Sequence, residues 1–338
     1  MNFRIYFLLS VTLLIIIFLS FPATVESGFF KSALAHSITV PVRGASPFGI
    51  AYNAANNNMY VANFGSSTVS VISGSTDSVI TSILVGRQPA QVTYAPPNNK
   101  LYVSNAGSDD VYVINGANNK VIEHIPVGSQ PFGIAHNPTN NDVYVVNLGD
   151  STVSVIDTSI DSVIDTIALE SVQPPNSVGP YSITYDRTNG GMYAGGMLSH
   201  QVSVINTASN ADVKDVRMPT PAADSEVAAL VYNPSNNRIY VSAIDSDVVV
   251  RINPETNEFE GSPIPVMKPF GIVYNPGNNR IYVTNAFSNT VSVINPTTNT
   301  VTDTIPTDTL PAGIAYNPNN NHIYVSNTLS NTVSIIHP

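Results

Sequence analysis

The sequence predicts an all-β fold, a seven-bladed β-propeller with four antiparallel strands per blade, and three observations carry that prediction. A tyrosine inside an apolar tetrapeptide returns at positions 60, 102, 144, 193, 240, 282 and 324, at intervals of 42, 42, 49, 47, 42 and 42 residues. The repeat unit holds four short β-prone segments separated by turn formers, and that combination, recurring around seven tyrosines, is the arithmetic of a propeller. The last copy lacks its fourth segment, and a matching orphan segment precedes the first copy.

The copy starting at Pro269 is the clearest. Strand A covers residues 270–274, and Asn275-Pro276-Gly277-Asn278-Asn279 is a turn whose residues tolerate left-handed or fixed φ angles. Strand B covers 280–284 and strand C covers 290–294; Asn295-Pro296 breaks the chain before strand D at 300–305. Strands B and C are apolar on both faces: Ile281 and Val283 alternate with Tyr282, and Val291 and Val293 are followed by Ile294. A sheet covered on both sides needs this pattern, as in blades stacked around an axis. At the ends, the chain stops after a strand C at His337-Pro338, while Ser37-Ile38-Thr39-Val40-Pro41-Val42 resembles a strand D. The N-terminal strand is therefore expected to complete the last blade, which closes the ring and removes two exposed edges.

The composition agrees with a large β-rich body. Only 11% of the 338 residues are charged, and Cys and Trp are absent. Disulfides, thiolate metal sites and a cysteine nucleophile are excluded. The net charge is −10, and residues 37–338 keep 11 basic and 22 acidic side chains once Arg4, Lys31 and Glu26 are set aside, a net of −11. Such a body repels phosphate backbones, so no nucleic-acid partner is expected. Residues 1–36 form a separate segment. Arg4 precedes an apolar run from Ile5 to Phe21, and Ala33-Leu34-Ala35 is a cleavage-like tripeptide. A cleaved signal peptide and a retained N-terminal membrane anchor are both open. Either places the propeller of residues 37–338 outside the cytoplasmic membrane, as a secreted, periplasmic or cell-surface protein.

At Tyr282-Val283-Thr284-Asn285, and in the variants Tyr102-Val103-Ser104-Asn105, Tyr144-Val145-Val146-Asn147 and Tyr324-Val325-Ser326-Asn327, the chain resembles the YVTN-repeat propeller family. The Thr-Val-Ser-Val-Ile that follows at 68–72, 152–156 and 290–294 matches as well. The resemblance covers residues 38–338 and implies an extracytoplasmic propeller of surface-layer or periplasmic type, with no fixed chemistry. Lactonase-like propellers are among its broader relatives. Blade 4 departs from the pattern with Ala194-Gly195-Gly196, and blade 5 carries Ala243 at the Asn position. The repeat Asn reads as a cap on the turn after strand B. His136 stands where six other copies have Tyr and reads as a packing substitute.

Links from strand D to strand A share one face with the B-to-C turns, and two of these links, 168–180 and 218–226, are long. Both flank blade 4, so this face, near blades 3 to 5, is the candidate binding region; tolerated insertion is the other reading. Arg43, Arg87 and Lys268 are the basic residues expected there, where they could form a funnel for anions, with Glu170, Asp224, Glu226 and Asp308 facing them. His200, in the B-to-C turn of blade 4, is the histidine placed closest to the long links. The six histidines, at 36, 124, 136, 200, 322 and 337, form no ligand pair in sequence. No G-x-S-x-G, H-E-x-x-H or P-loop is present, so no catalytic residue is assigned. No cofactor and no metal ligand are assigned. Ca²⁺ or another divalent cation stays open because Asp245-Ser246-Asp247 and Ser108-Asp109-Asp110 are acidic turns, although two carboxylates supply few of the oxygens such an ion wants. The leading expectation is a non-catalytic binding or cell-surface propeller whose partner is an envelope protein, a glycan or a small molecule. The alternatives are a lactonase-like metal-dependent hydrolase at the channel mouth and a structural surface-layer component.

Overall fold

The computed structural model describes residues 37–170 and 179–338. The expected signal or anchor segment and the middle of the long link 168–180 lie outside the described residues. Among the described residues the strands form seven antiparallel sheets. Blade 6 has strands Pro269–Asn275, Arg280–Asn285, Thr290–Asn295 and Thr300–Pro306, paired in chain order, close to the sequence expectation. Blades 1 to 4 repeat this plan from Pro47, Pro89, Pro131 and Pro180. In blade 7 the strands Pro311–Asn317, His322–Asn327 and Thr332–Ile336 are completed by Ser37–Pro41, antiparallel with Val40 opposite Val333. The ring is closed by the N-terminal strand. Blade 5 differs: its outer strand is split into Glu258–Phe259 and Ile264–Pro265. Arg251 reaches into the gap, where a Cβ on Gly261 would stand 1.9 Å from its Nη2.

The two-faced apolar strands have a direct cause. Each hydrophobic cluster combines residues of two neighbouring blades. One joins Tyr60, Val69 and Val71 of blade 1 to Val92, Leu101 and Val103 of blade 2, and another joins Ile50, Met59 and Val61 of blade 1 to Tyr324, Val333 and Ile335 of blade 7. The core is thus a set of interfaces between blades, so every central strand is packed from both sides.

Each residue of the repeat tetrapeptide has a structural duty. The tyrosine hydroxyl donates to the C-to-D turn of the next blade, as from Tyr60 to Asn119 Oδ1 at 2.5 Å, Tyr102 to Asp161 Oδ1 at 2.6 Å, and Tyr324 across the closure to Asp77 Oδ1 at 2.5 Å. The Ser or Thr hydroxyl reaches the inner strand of the next blade: Ser104 donates to the Phe132 carbonyl at 2.5 Å and Thr284 to that of Ala312 at 2.9 Å. The asparagine Nδ2 donates across the B-to-C turn, from Asn285 to Thr290 Oγ1 at 2.8 Å and Ser292 Oγ at 2.9 Å.

The two divergent blades rearrange this polar set, because a buried polar group that loses its partner is costly. In blade 5, Ala243 faces Val248 and Val241 faces Val250, so Asn, Thr and Ser have all been replaced by apolar residues within one core cluster. In blade 4, Gly196 stands at the Asn position, and Ser203 Oγ donates instead to Asp215 Oδ1 at 2.8 Å. His136 substitutes for tyrosine down to its partner: its Nε2 lies 2.8 Å from Asn141 Oδ1, as the Tyr274 hydroxyl lies 3.1 Å from Asn279 Oδ1. The richness in Asn also has a backbone origin. Asn57, Asn99, Asn141, Asn237, Asn279 and Asn321 all end A-to-B turns with φ between 48° and 66°, a left-handed region that Asn tolerates better than most residues.

Candidate binding site at the axial mouth

With the repeat residues occupied by structure, the residues free to vary are the ones that can carry function. The second residue of each inner strand is such a position: Phe48, Ala90, Phe132, Tyr181, Ala228, Phe270 and Ala312 in blades 1 to 7. The four aromatic rings meet across the axis. Centroids are 5.7 Å apart for Phe48 and Phe270, 6.3 Å for Phe48 and Phe132, 4.8 Å for Phe132 and Tyr181, and 6.1 Å for Tyr181 and Phe270. Phe64, from the B-to-C turn of blade 1, joins them at 6.2 Å from both Phe48 and Phe132. Offset and edge-on rings at these distances attract one another beyond simple burial. Phe132 and Tyr181 are buried, while Phe48, Phe64 and Phe270 keep part of their surface in solvent.

Close approach of the inner strands brings the rings together. Glycine follows the aromatic position at Gly49, Gly133 and Gly271, and it follows Ala312 at Gly313. A Cβ at Gly313 would lie 2.0 Å from the Phe48 carbonyl oxygen, and one at Gly271 2.2 Å from that of Ala312, so a side chain there would push adjacent blades apart.

The rim is built by the D-to-A links, each clipped to a B-to-C turn. Phe64 N donates to Ser46 O at 3.0 Å, Ala106 N to Gln88 O at 2.9 Å, Ile244 N to Glu226 O at 3.2 Å and Ala286 N to Lys268 O at 3.1 Å. Ser46, Gln88, Gln130, Gly179, Glu226, Lys268 and Leu310 therefore occupy equivalent places just before the seven inner strands. Exposed apolar side chains, Met267, Phe287 and Leu329, lie in links and turns of this same face.

Glu226 and Lys268, both expected at the site, are brought together here with two aspartates. Lys268 Nζ lies 3.8 Å from Asp247 Oδ1 and 4.0 Å from Asp245 Oδ1. Burial raises the Glu226 carboxyl to about 7; the Asp245 charge adds to the rise and Lys268 opposes it. Burial also holds the Tyr181 phenol above the usual tyrosine range, with the Glu226 charge as a second cause; Glu226 immediately precedes the inner strand Val227–Asn233, which neighbours the strand of Tyr181. The link 218–226 is anchored rather than loose. Met218, Ala222 and Ser225 are buried, and Ser225 Oγ accepts from Asp245 N at 3.0 Å and Ser246 N at 3.3 Å.

The other expected residues are more scattered. Arg43 and Arg87 are exposed and take part in no ion pair among the described residues. Asp224 is exposed on its link. Glu170 is exposed, and its carbonyl accepts from Gln201 Nε2 at 2.9 Å. That glutamine also donates to Asp215 Oδ1 at 2.6 Å, and burial, then the Asp215 charge, raises Asp212 to about 7. His200 has φ 54°, its carbonyl accepts from Met218 N at 3.1 Å, and its Nδ1 is buried without a hydrogen-bond partner. Among the described residues no group of three histidine or carboxylate ligands converges at the mouth; the one such group, Asp77, His322 and His337, belongs to the opposite face. Sequence reasoning missed the aromatic floor. Its signal was available as large and small apolar residues exchanging at one repeat position that follows Pro in six of the seven blades.

Comparison with known proteins bears on this arrangement. The family described as "Lactonase, 7-bladed beta-propeller" matches residues 31–304. No curated protein matches the chain. Among solved structures, hydrazine synthase of Kuenenia stuttgartiensis superposes with a TM-score of 0.76 at 20% identity, covering 92% of this chain and 99% of that one. A catalytically inactive variant of virginiamycin B lyase from Staphylococcus aureus, with quinupristin, gives 0.76 at 16% identity, covering 90% and 99%. A streptogramin B lyase gives 0.74 at 14% identity, covering 89% and 97%. At these identities the likeness is one of fold.

Proposed function

The chain belongs to the seven-bladed β-propeller lactonase family, and from that premise we propose that it binds a small cyclic ligand with an apolar face at the axial mouth on the D-to-A and B-to-C side. The observation that carries this reading is the contact of Phe48, Phe132, Tyr181 and Phe270 across the axis. An apolar floor with a few polar groups at its rim is the usual build of a small-molecule site. The partly exposed rings offer a flat surface to a sugar or lactone ring, and Glu226, Lys268 and the neighbouring aspartates add charged hydrogen-bonding groups at the rim of blades 5 and 6, which would orient it. The apolar run after Arg4 supports placing this activity outside the cytoplasmic membrane. Saturation-transfer NMR with a panel of lactones and glycosides tests the site: a ligand that binds wild type should lose at least ten-fold in affinity with Phe270→Ala. Equal binding by that variant would remove the mouth from consideration.

A second reading, lactone hydrolysis at the same place, is favoured by the family and by Glu226. A carboxyl poised near 7 can take a proton from an attacking water at neutral pH, and the adjacent Lys268 ammonium can stabilise negative charge developing on the ester oxygen. Acid release in a pH-stat separates the readings. Turnover that Glu226→Gln abolishes supports hydrolysis, whereas binding without turnover supports the first reading.

A further inference from the structure

On the face opposite the mouth, blade 7 meets blade 1 where the ring closes, and one repeat position has been released from its ordinary duty. The first residue of strand B can reach the C-to-D turn of the next blade, as Lys100 Nζ does at 2.6 Å from Asp161 Oδ2. In blade 7 that residue is His322, and its Nδ1 lies 3.6 Å from Asp77 Oδ2 of blade 1. Across the strand pair from this position, the other blades place a residue that starts the C-to-D turn: Ser73 opposite Asn58, Asn115 opposite Lys100 and Asp157 opposite Asp142. The Asn115 side chain, for example, accepts the amide of Ala117 at 2.9 Å. Blade 7 makes no such turn, because its fourth strand comes from the N-terminus. The residue following its last strand pair, Ile323 with Ile336, is His337.

We propose that Asp77, His322 and His337 form a binding site for a divalent transition-metal ion of the zinc, cobalt or nickel class, which ties the last blade to the first. One ligand atom from each of the three side chains lies within 4.8 Å of the others. His322 Nδ1 and His337 Nε2 are both buried and have no hydrogen-bond partner, a costly state for a ring nitrogen unless something fills it. Asp77 is oriented by Tyr324, whose hydroxyl donates to Oδ1 at 2.5 Å and leaves Oδ2 directed at His322. This is the supporting hydrogen bond that carboxylate ligands ordinarily receive. Two imidazoles and one carboxylate suit a borderline cation and leave coordination places open, whereas Ca²⁺ and Mg²⁺ ask for oxygen. With metal–ligand bonds of about 2.0–2.1 Å, tetrahedral ligand atoms stand roughly 3.4 Å apart, close to the 3.6 Å separation of His322 and Asp77. The two rings now stack, with centroids 3.9 Å apart and planes at 21°. To share an ion they must tilt so that their in-plane lone pairs converge, a side-chain rotation that leaves the strands in place.

The competing account is purely structural: an ion pair homologous to Lys100 and Asp161, with a second ring stacked on it. Chelator-treated full-length protein titrated with Co²⁺, read by visible d–d absorption, and with Zn²⁺, read by melting temperature, decides between them. Wild type should bind one equivalent of Co²⁺ and melt higher with Zn²⁺. His337→Asn introduces the side chain found at this place in blades 2, 4, 5 and 6, so it should fold with a nearly unchanged metal-free melting temperature and weaken Co²⁺ binding at least ten-fold. Asp77→Asn should weaken it as well, and His124→Asn, at an exposed strand far from the cluster, should leave it unchanged. Absence of a saturable one-equivalent band in wild type, or its persistence in His337→Asn, would overturn the proposal.

Discussion

The Ser326 hydroxyl of the last blade donates to the Phe48 carbonyl of the first at 2.5 Å, and the same oxygen accepts the Gly313 amide at 2.8 Å. One side chain thus satisfies two backbone groups on either side of the closure, one of them belonging to a residue of the aromatic floor. Ser104 makes the equivalent bond to Phe132. The polar staple and the floor are therefore parts of one construction.

Removing that hydroxyl leaves two buried backbone groups without a partner. Ser326→Ala should lower stability by about 1–3 kcal/mol, whereas Ser326→Thr, which copies Thr284, should cost less than half as much. Urea unfolding with an unchanged slope is the measurement, and equal midpoints for all three proteins would show that the bond contributes nothing net.

Deleting residues 37–43 strips blade 7 of its outer strand and exposes the edge at Thr332–Ile336. Because every core cluster spans two blades, weakening one sheet weakens both of its interfaces. The melting transition of the whole ring should fall and its aggregation should rise. A melting temperature within a degree of the parent would contradict closure by this strand.

Asn285, Thr290 and Ser292 act as a unit. Asn285→Ala alone should cost about 1–3 kcal/mol, because the buried Ser292 hydroxyl and the half-buried Thr290 hydroxyl lose their donor. The triple variant Asn285→Ala, Thr290→Val, Ser292→Val reproduces the apolar set Ala243, Val248 and Val250 of blade 5 and should recover at least half of that loss. Additive losses across the three substitutions would refute the unit.

Glu226 binds its proton more tightly in the folded protein than in the unfolded chain, since its value rises from 4.5 to about 7. Between these values the folded state holds more protons, so its contribution to stability declines as pH rises from about 4.5 to 7 and is flat beyond. Glu226→Gln should therefore gain in melting temperature relative to wild type across that window and keep the gain above it. A difference independent of pH would mean the carboxyl is not buried as described.

Much of this was legible before any coordinates. The tyrosine interval gave the blade number, Asn-rich turns placed the strand ends within a residue or two, and the missing last segment located the closure. His136 was readable as a stand-in for tyrosine because six copies supply the comparison. The sites were less legible. Glu226, Lys268 and the acidic turn Asp245-Ser246-Asp247 were each readable as lying on one face, but nothing in their spacing indicated that they meet or that Tyr181 lies in the neighbouring inner strand. Phe48, Phe132, Tyr181 and Phe270 each look like an ordinary core residue in their own strand.

Sequence by itself determined the unit, its sevenfold repetition and the turn-capping duty of the repeat Asn, because those depend on local alternation and on turns within one blade. Only the tertiary structure decided which non-repeat residues meet. Rolling the chain into a ring brings equivalent positions of non-adjacent blades to one axis, and it sets the C-terminal His322 and His337 beside Asp77 near the start. Such meetings follow from ring closure, which depends on all seven interfaces at once and is written in no single segment.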